Sequence, residues 1–371
     1  MGKGNKISDV VEEFLILRKG TLGQKLLDEY KSICGDFVEI VGDLPIGSLS
    51  KEDIRGYITT QIQLPPQRKK NPTYRDLSVS KILKMKDVKP QSRQNVNKYL
   101  TRLSTMMNFG LGQGYFSSNF ILGMKIPVSK TEEKKREPFT DEDLIKVLSP
   151  KRYFDWTIDY KKISSNQHTT FRTDRKGKIG NPLYWIFLVG IFSGMRTNEI
   201  LQMKIADVVK QDNIWMIIID ESGGKRVKTS SGIRNVPVHP KLLHLGFIEY
   251  VEIIKSKGFD RVFPELIKDK EGYTSKVSEH YNNKFLPVIG VHKPRVKVLY
   301  STRHTFVNRC YKKSVDRDII KQIVGHEKDF TFGIYGGNPY SSKQLYEGIS
   351  KVKYKDIRWN RLQVDWKKIL G

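Results

Sequence analysis

The stretch PLYWIFLVGIFSGMRTNEILQMKIADV, residues 182–208, decides how the second half of this chain folds. Its first part is apolar on all sides, the pattern of a helix buried all round. The run YWIFLVGIF (184–192) has about half the length a bilayer span requires, so the helix belongs in a protein core. Gly194 then permits a sharp bend, and Arg196 follows closely. Glu199 lies about one helical turn further on, where its carboxylate can orient the guanidinium. A single arginine among 66 Lys and Arg residues reads most simply as a surface cation. Its place at the end of a core helix argues for more.

Working outward, NIWMIIIDE (213–221) is β-branched and strand-like, ESGGKRVKTSSG (221–232) is turn-rich, and IRNVPVHP (233–240) alternates as a returning strand. Upstream, FTDEDLIKVL (139–148) starts a helix with Thr140 as N-cap and acids in the first turn. Before it, VSKTEEKKREP (128–138) is almost devoid of apolar residues and reads as an interdomain linker. The first third is helical by pattern: 7–19, 21–43, a segment opening at Ser50 with Asp53 three residues on, and a long amphipathic helix in 90–116 closed by glycines. LPPQRKKNPTYRD (64–76) between the last two reads as a loop.

At 371 residues the chain is longer than a typical single domain, and 38% hydrophobic residues with 17 Tyr and 17 Phe can build more than one core. The formal charge of +26 suits a polyanionic partner, nucleic acid or an anionic membrane surface. The N-terminal MGKGNKISDVVEEF has no apolar signal-peptide segment. Cys34 and Cys310 supply neither a disulfide framework nor a thiolate zinc site. The expectation is a soluble cytoplasmic, nucleoid-associated protein acting on nucleic acid, with no membrane partner.

Phosphoryl transfer on DNA without ATP needs a nucleophile, donors for the non-bridging oxygens and an acid for the leaving oxygen. Arginine's planar fork suits phosphate oxygens, and two arginines from different elements can hold a phosphorane from two sides. A second candidate, Arg303, lies in LYSTRHTFVNRC (299–310) beside Tyr300 and His304. Lys228 lies in the hairpin turn, where an ammonium can protonate a leaving oxygen. GHEKDFTFGIYGG (325–337) sets Tyr335 nine residues after His326, among glycines that suit a tyrosine reaching into another molecule.

Each signal is weak alone; their order is not. GMRTNEILQMKIADV, KTSSGIRNVPVHP, YSTRHTF, IVGH and then a tyrosine together resemble the tyrosine recombinases, the phage integrase family, over 139 to about 355. GDLPIGSLSKEDIRGY (42–57) and KYLTRLSTMMNFGLGQGYFSSN (98–119) resemble that family's core-binding domain. The resemblance implies a chain mainly α with a small β-sheet: a helical core-type DNA-binding domain over 1–127, a linker over 128–138 and an α+β catalytic domain over 139–371, forming a clamp around DNA. It also implies roles: Arg196 and Arg303 as the catalytic arginines, Lys228 as general acid, His326 at the scissile phosphate and Tyr335 as nucleophile. Tyr335 would form a 3′-phosphotyrosyl link and release a 5′ hydroxyl, with neither ATP nor a metal cofactor. Tyr340 and Tyr346 are competing candidates for the nucleophile, in a helix-cap position and inside a following helix.

One position departs from the family pattern. Three residues before the second arginine, where histidine is usual, stands Tyr300. A phenol with pKa near 10 can donate to a phosphate oxygen but is a poor base at neutral pH, so Tyr300 is expected to line the site, with proton traffic falling on Lys228. His304 is offset from the box and expected to be structural. Arg93, Asn95, Lys98 and Arg102 on the long helix are candidates for the DNA interface; a solvated helix face explains them equally. Family members act as tetramers on two synapsed duplex sites, and accessory DNA-bending proteins are conceivable partners. The segment SSKQLYEGISKV (341–352) suits docking on a neighbour in trans or packing in cis. Two other readings compete: a type IB topoisomerase, and a catalytically silent DNA-binding protein. A metal site built on His239 and His244 lacks a nearby third ligand.

Overall fold

The computed structural model of the chain describes residues 5–129, 136–158, 181–225, 227, 230–269, 272–326 and 340–370, with the backbone of a short ladder pairing Thr173–Asp174 to Gly177–Lys178. The chain divides into two compact units, Met1–Glu133 and Lys134–Gly371. It is mostly helical, with a small three-stranded sheet in the second unit.

The first unit contains α1 (Ile7–Arg18), α2 (Gln24–Val41), α3 (Lys51–Gln61), α4 (Val79–Leu83) and α5 (Arg93–Gly112). Val10, Phe14, Phe37, Ile54, Tyr57, Leu103 and Met106 form its core. Helix α3 starts with a full capping box: the Asp53 carboxylate accepts from the Ser50 amide at 2.9 Å, and the Ser50 hydroxyl accepts from the Asp53 amide. Helix α5 ends where Phe116 folds back onto Gly110, against which a Cβ would stand 2.5 Å from the ring. The stretch expected as loop, 64–76, is held more tightly than its composition suggests. Arg68 within it is buried and donates to Asp36 at 3.0 Å and Glu39 at 2.8 Å, both on α2. A Pro-rich, charged string reads as loop; the distant acids that anchor it do not show in that string.

The second unit is built on α8 (Pro182–Ser193), preceded by α6 (Asp141–Val147) and α7 (Pro150–Thr157). All 12 residues of α8 are buried. Each large apolar side chain so placed contributes roughly 1.5–3 kcal/mol over an exposed one. After the short α9 (Thr197–Leu201) comes an antiparallel sheet of order β1 (Val208–Gln211), β2 (Ile214–Ile219), β3 (Arg234–Pro237), with Ile219 opposite Arg234. Asp212 and Asn213 close the first hairpin with positive φ at both positions, as a tight two-residue turn of matching twist requires. The returning strand expected over 233–240 is β3.

Then follow α10 (Pro240–His244), α11 (Phe247–Ser256) and α12 (Thr274–Glu279), α13 (Ser301–Lys312), α14 (Arg317–Val324), α15 (Ser342–Ser350) and α16 (Trp366–Leu370). Trp366 seals the far end of the core against Trp185 and Tyr250, with ring centroids 5.4 and 5.1 Å away. Helix α15 packs in cis: Leu345 and Ile349 are buried in the unit's own core, and a Cβ on Gly348 would lie 2.8 Å from Ile319 of α14. Among the described residues no helix is long and apolar enough to cross a membrane.

The contact that matters most for the site is between α8 and α13. Gly190 faces Thr302, whose Oγ1 would lie 2.6 Å from a Cβ there. One turn on, Gly194 faces Phe306, whose ring would lie 2.4 Å from a Cβ. Two glycines four residues apart thus let the helices meet nearly backbone to side chain. Gly190→Ala should lower stability by roughly 1–3 kcal/mol through overpacking, read as a lower urea midpoint at unchanged slope; an unchanged midpoint would show that the two helices can separate at no cost.

Candidate functional site

The site forms where α8 ends. Gly194 caps that helix at φ 64°, a left-handed conformation that suits glycine, and its carbonyl accepts from Arg303 Nη1 on α13 at 2.7 Å. Arg303 is therefore positioned by the same bend that positions Arg196. Arg196 is the N-cap of α9, and Glu199 answers it twice, accepting from its amide and from its Nη1, both at 2.8 Å. Arg196 Nη2 donates to the carbonyl of Gly325 at 3.2 Å. Gly325 is the left-handed C-cap of α14, and His326 follows it. Three elements far apart in sequence meet here, and they bring Arg196, Arg303 and His326 together.

A fourth residue, not foreseen from the sequence, ties them. Arg234, at the start of β3, is almost wholly buried. It donates to Glu199 Oε2 at 2.8 Å and to the carbonyls of Ile323 at 2.6 Å and Gly232 at 2.7 Å. A Cβ on Gly325 would stand 2.8 Å from its Nη1, so Gly325 is needed for the strand arginine to pass beneath the His326 turn. The signal was present: Arg234 falls in phase with Val236 on the inward face of a strand, where an arginine must find buried partners.

The electrostatics follow from this crowding. Burial alone would push the Glu199 carboxyl up; Arg234 and Arg196 outweigh it and hold the group below the usual range. Burial, then the charge of Arg196, push the Arg303 guanidinium down to about 10. Partial desolvation, followed by Arg303, Arg196 and Arg234, hold His326 below the ordinary imidazole range. Arg303 Nη2 is buried without a hydrogen-bond partner among the described residues. Cations pressed together, one with an uncommitted donor, make a socket for an anion.

Lys228 and Tyr335 lie outside the described residues. The near end of the Lys228 turn is fixed by Lys225, which is buried between Asp207 and Asp220 at 2.5 Å from each. Tyr300 caps α13, with its ring 5.7 Å from that of His304. Tyr340 directs its hydroxyl at Asp316, 3.2 Å away, and Tyr346 lies on α15. His239 is a buried structural residue, stacked on Phe192 at 4.3 Å with Nε2 2.9 Å from the Val352 carbonyl. His244 pairs with Asn360 at 3.2 Å.

On α5 the four candidate DNA contacts are engaged within their own unit. Lys98 and Arg102 bind Glu29 at 2.7 and 2.6 Å, Asn95 donates to Gln91, and Arg93 to the Pro127 carbonyl. Arg93 and Lys98 are exposed all the same, and further exposed cations lie on the stretch around α4, at Lys70, Lys81, Lys84, Lys86 and Lys89.

Residues 170–340 match the model described as the phage integrase family. That stretch, a little under half of the chain, resembles the family. It is 22% identical over 268 residues to a XerC-like tyrosine recombinase of Caldanaerobacter subterraneus subsp. tengcongensis, covering 63% of this chain and 59% of that one. It is 24% identical over 158 residues to the tyrosine recombinase XerH of Campylobacter jejuni, covering 40% of this chain and 39% of the relative. The chain thus spans less than two thirds of either relative's length. Among solved structures, the Tn1549 transposon integrase in complex with circular intermediate DNA aligns with a TM-score of 0.55 at 12% identity, over 92% of this chain and 98% of that one. A lambda integrase tetramer bound to a Holliday junction aligns with a TM-score of 0.51 at 13% identity, over 90% and 77%. At such identities these two speak for the fold.

The hub of the site is testable by itself. Glu199→Ala strands two largely buried guanidiniums and should cost roughly 3–5 kcal/mol, with Glu199→Gln costing less. Because the folded carboxyl sits below its unfolded value, its contribution is full above the ordinary carboxylate range and is lost as pH falls through the folded value. Urea titrations of wild type and Glu199→Gln should therefore differ at pH 7 and converge in acid; equal stability at pH 7 would refute the bridging role.

Proposed function

We propose that the chain is a site-specific DNA recombinase that cleaves and rejoins strands through a phosphotyrosyl intermediate, integrating or excising a mobile element. The observation that carries this reading is the socket of Arg196, Arg303 and His326, with Arg303 Nη2 buried and without a partner among the described residues. A phosphodiester brings one negative charge and two non-bridging oxygens to just such a set of donors.

In this mechanism Tyr335 Oη forms a bond to phosphorus and gives its proton to solvent. The bond from phosphorus to the 5′ oxygen breaks, and Lys228 protonates the leaving oxygen. Arg196 and Arg303 hold the non-bridging oxygens as charge builds on them, and His326, held below the ordinary imidazole range by burial and then by its cationic neighbours, donates a hydrogen bond. The phosphate ends on tyrosine with its ester bond energy retained, so a 5′ hydroxyl from a partner strand can reverse the step without a nucleoside triphosphate. Duplex DNA is the proposed partner of both units, in a homotetramer on two synapsed sites, with DNA-bending proteins as accessories. The net charge of +26 supports a salt-sensitive grip on the backbone, and the exposed lysines around α4 are proposed to share it.

Incubating the protein with a nicked half-site duplex should trap a covalent protein–DNA adduct that survives denaturation. Tyr335→Phe should abolish the adduct while leaving duplex affinity within about twofold. Each of Arg196→Ala and Arg303→Ala should slow it by on the order of a hundredfold or more, as loss of an oxyanion donor does. Sequence-selective binding with no adduct from the wild type would overturn the reading.

A further inference from the structure

The Tyr300 position holds more than a substitution. Arg136 lies with its guanidinium carbon 4.9 Å from the centroid of the Tyr300 ring, and no carboxylate is within ion-pair distance of it among the described residues. Its backbone is held against the α13 end of the site. The Glu137 amide donates to the Val296 carbonyl at 3.1 Å, and the Phe139 amide to Thr305 Oγ1 at 2.8 Å. Phe139 is buried beside Phe187 of α8, and Asp143 of α6 binds Lys297 at 2.6 Å. A segment so fastened presents Arg136 to the one ring that stands three residues before Arg303.

An imidazole at position 300 could carry a positive charge to the phosphate; a phenol brings only a neutral donor. The neighbouring His304 does not replace that charge: burial, Arg136 and Arg303 all hold it below its ordinary value, hence neutral at pH 7. Arg136 supplies a permanent cation on the face of the neutral ring. The same cation would oppose an imidazolium at position 300, so the two residues form a matched pair.

We propose that Arg136 is a positioning residue for strand cleavage, holding the Tyr300 ring so that its hydroxyl donates to the DNA phosphate and lending the site the charge an imidazolium would otherwise bring. This rests on the recombinase reading above.

The test is the single-turnover rate of adduct formation by the full chain on a nicked half-site duplex, with duplex affinity measured alongside. Arg136→Gln should slow the wild type by about threefold to tenfold, an effect of the size a ring-face cation produces, with affinity changed less. Arg136→Lys should restore part of the rate. In a Tyr300→Phe background, which keeps the ring and removes the hydroxyl, Arg136→Gln should cost clearly less. In a Tyr300→His background it should cost nothing or raise the rate, because it removes a repulsion. Equal slowing by Arg136→Gln in all three backgrounds would overturn the proposal and make Arg136 an independent DNA contact; so would an unchanged wild-type rate. If the wild type forms no adduct at all, the recombinase reading falls and this proposal with it, an outcome distinct from adduct formation that ignores Arg136.

Discussion

One buried carboxylate holds the second unit's cations together. Glu199 bridges Arg196 and Arg234, and Arg303 stands close enough for the charge of Arg196 to depress it. Desolvating ions is costly, and a buried pair seldom stabilises more than a well-packed apolar substitute would. Here one acid faces three guanidiniums, so the cluster stays positive after its internal pairing is complete. A fold selected only for stability would not keep such an excess. The arrangement makes sense as a charge held ready for an anion, with Glu199 fixing direction as much as balancing charge.

Directing those cations requires close backbone approach. Gly194 turns α8 out of its helix, presents a carbonyl to Arg303 and leaves room for Phe306 and Val324. Gly325 turns α14 over Arg234 and presents a carbonyl to Arg196. Both glycines are left-handed helix caps, and both carbonyls are helix-end acceptors that lack an intrahelical donor. The site therefore uses two helix C-termini, the partially negative ends of their dipoles, to steady two arginines. Moving either helix end would shift a guanidinium and loosen the site with every side chain of the cluster still in place.

What the sequence made legible followed local pattern. The all-apolar run announced the core helix, alternation announced β3, and Ser50 and Thr140 marked helix starts that the structure caps as expected. Arg196, Arg303 and His326 emerged from the order of their motifs, since no property of each alone distinguished it from other basic residues. Long-range pairing stayed hidden. The pairing of Lys98 and Arg102 with Glu29 could not be read locally, because Glu29 lies 69 and 73 residues away in sequence. Arg68 looked like loop, and its partners on α2 lie 32 and 29 residues away. Arg234 was passed over for the opposite reason: it sat inside an apolar alternation that was read for its valines. In each case the residue's neighbours in sequence are not its neighbours in space, and charge is where that difference matters most.

The same logic explains why the departure at Tyr300 need not mark a silent scaffold. A site of this kind needs a given amount of positive charge and a given number of donors around the phosphate, not a particular residue at each position. Tyr300 retains a donor and gives up a charge, while Arg136, from a segment bonded to the start of α13, brings a charge to the face of that ring. In the proposed role of Arg136, the deviation at one position and the placement of a distant arginine are two halves of one electrostatic constraint.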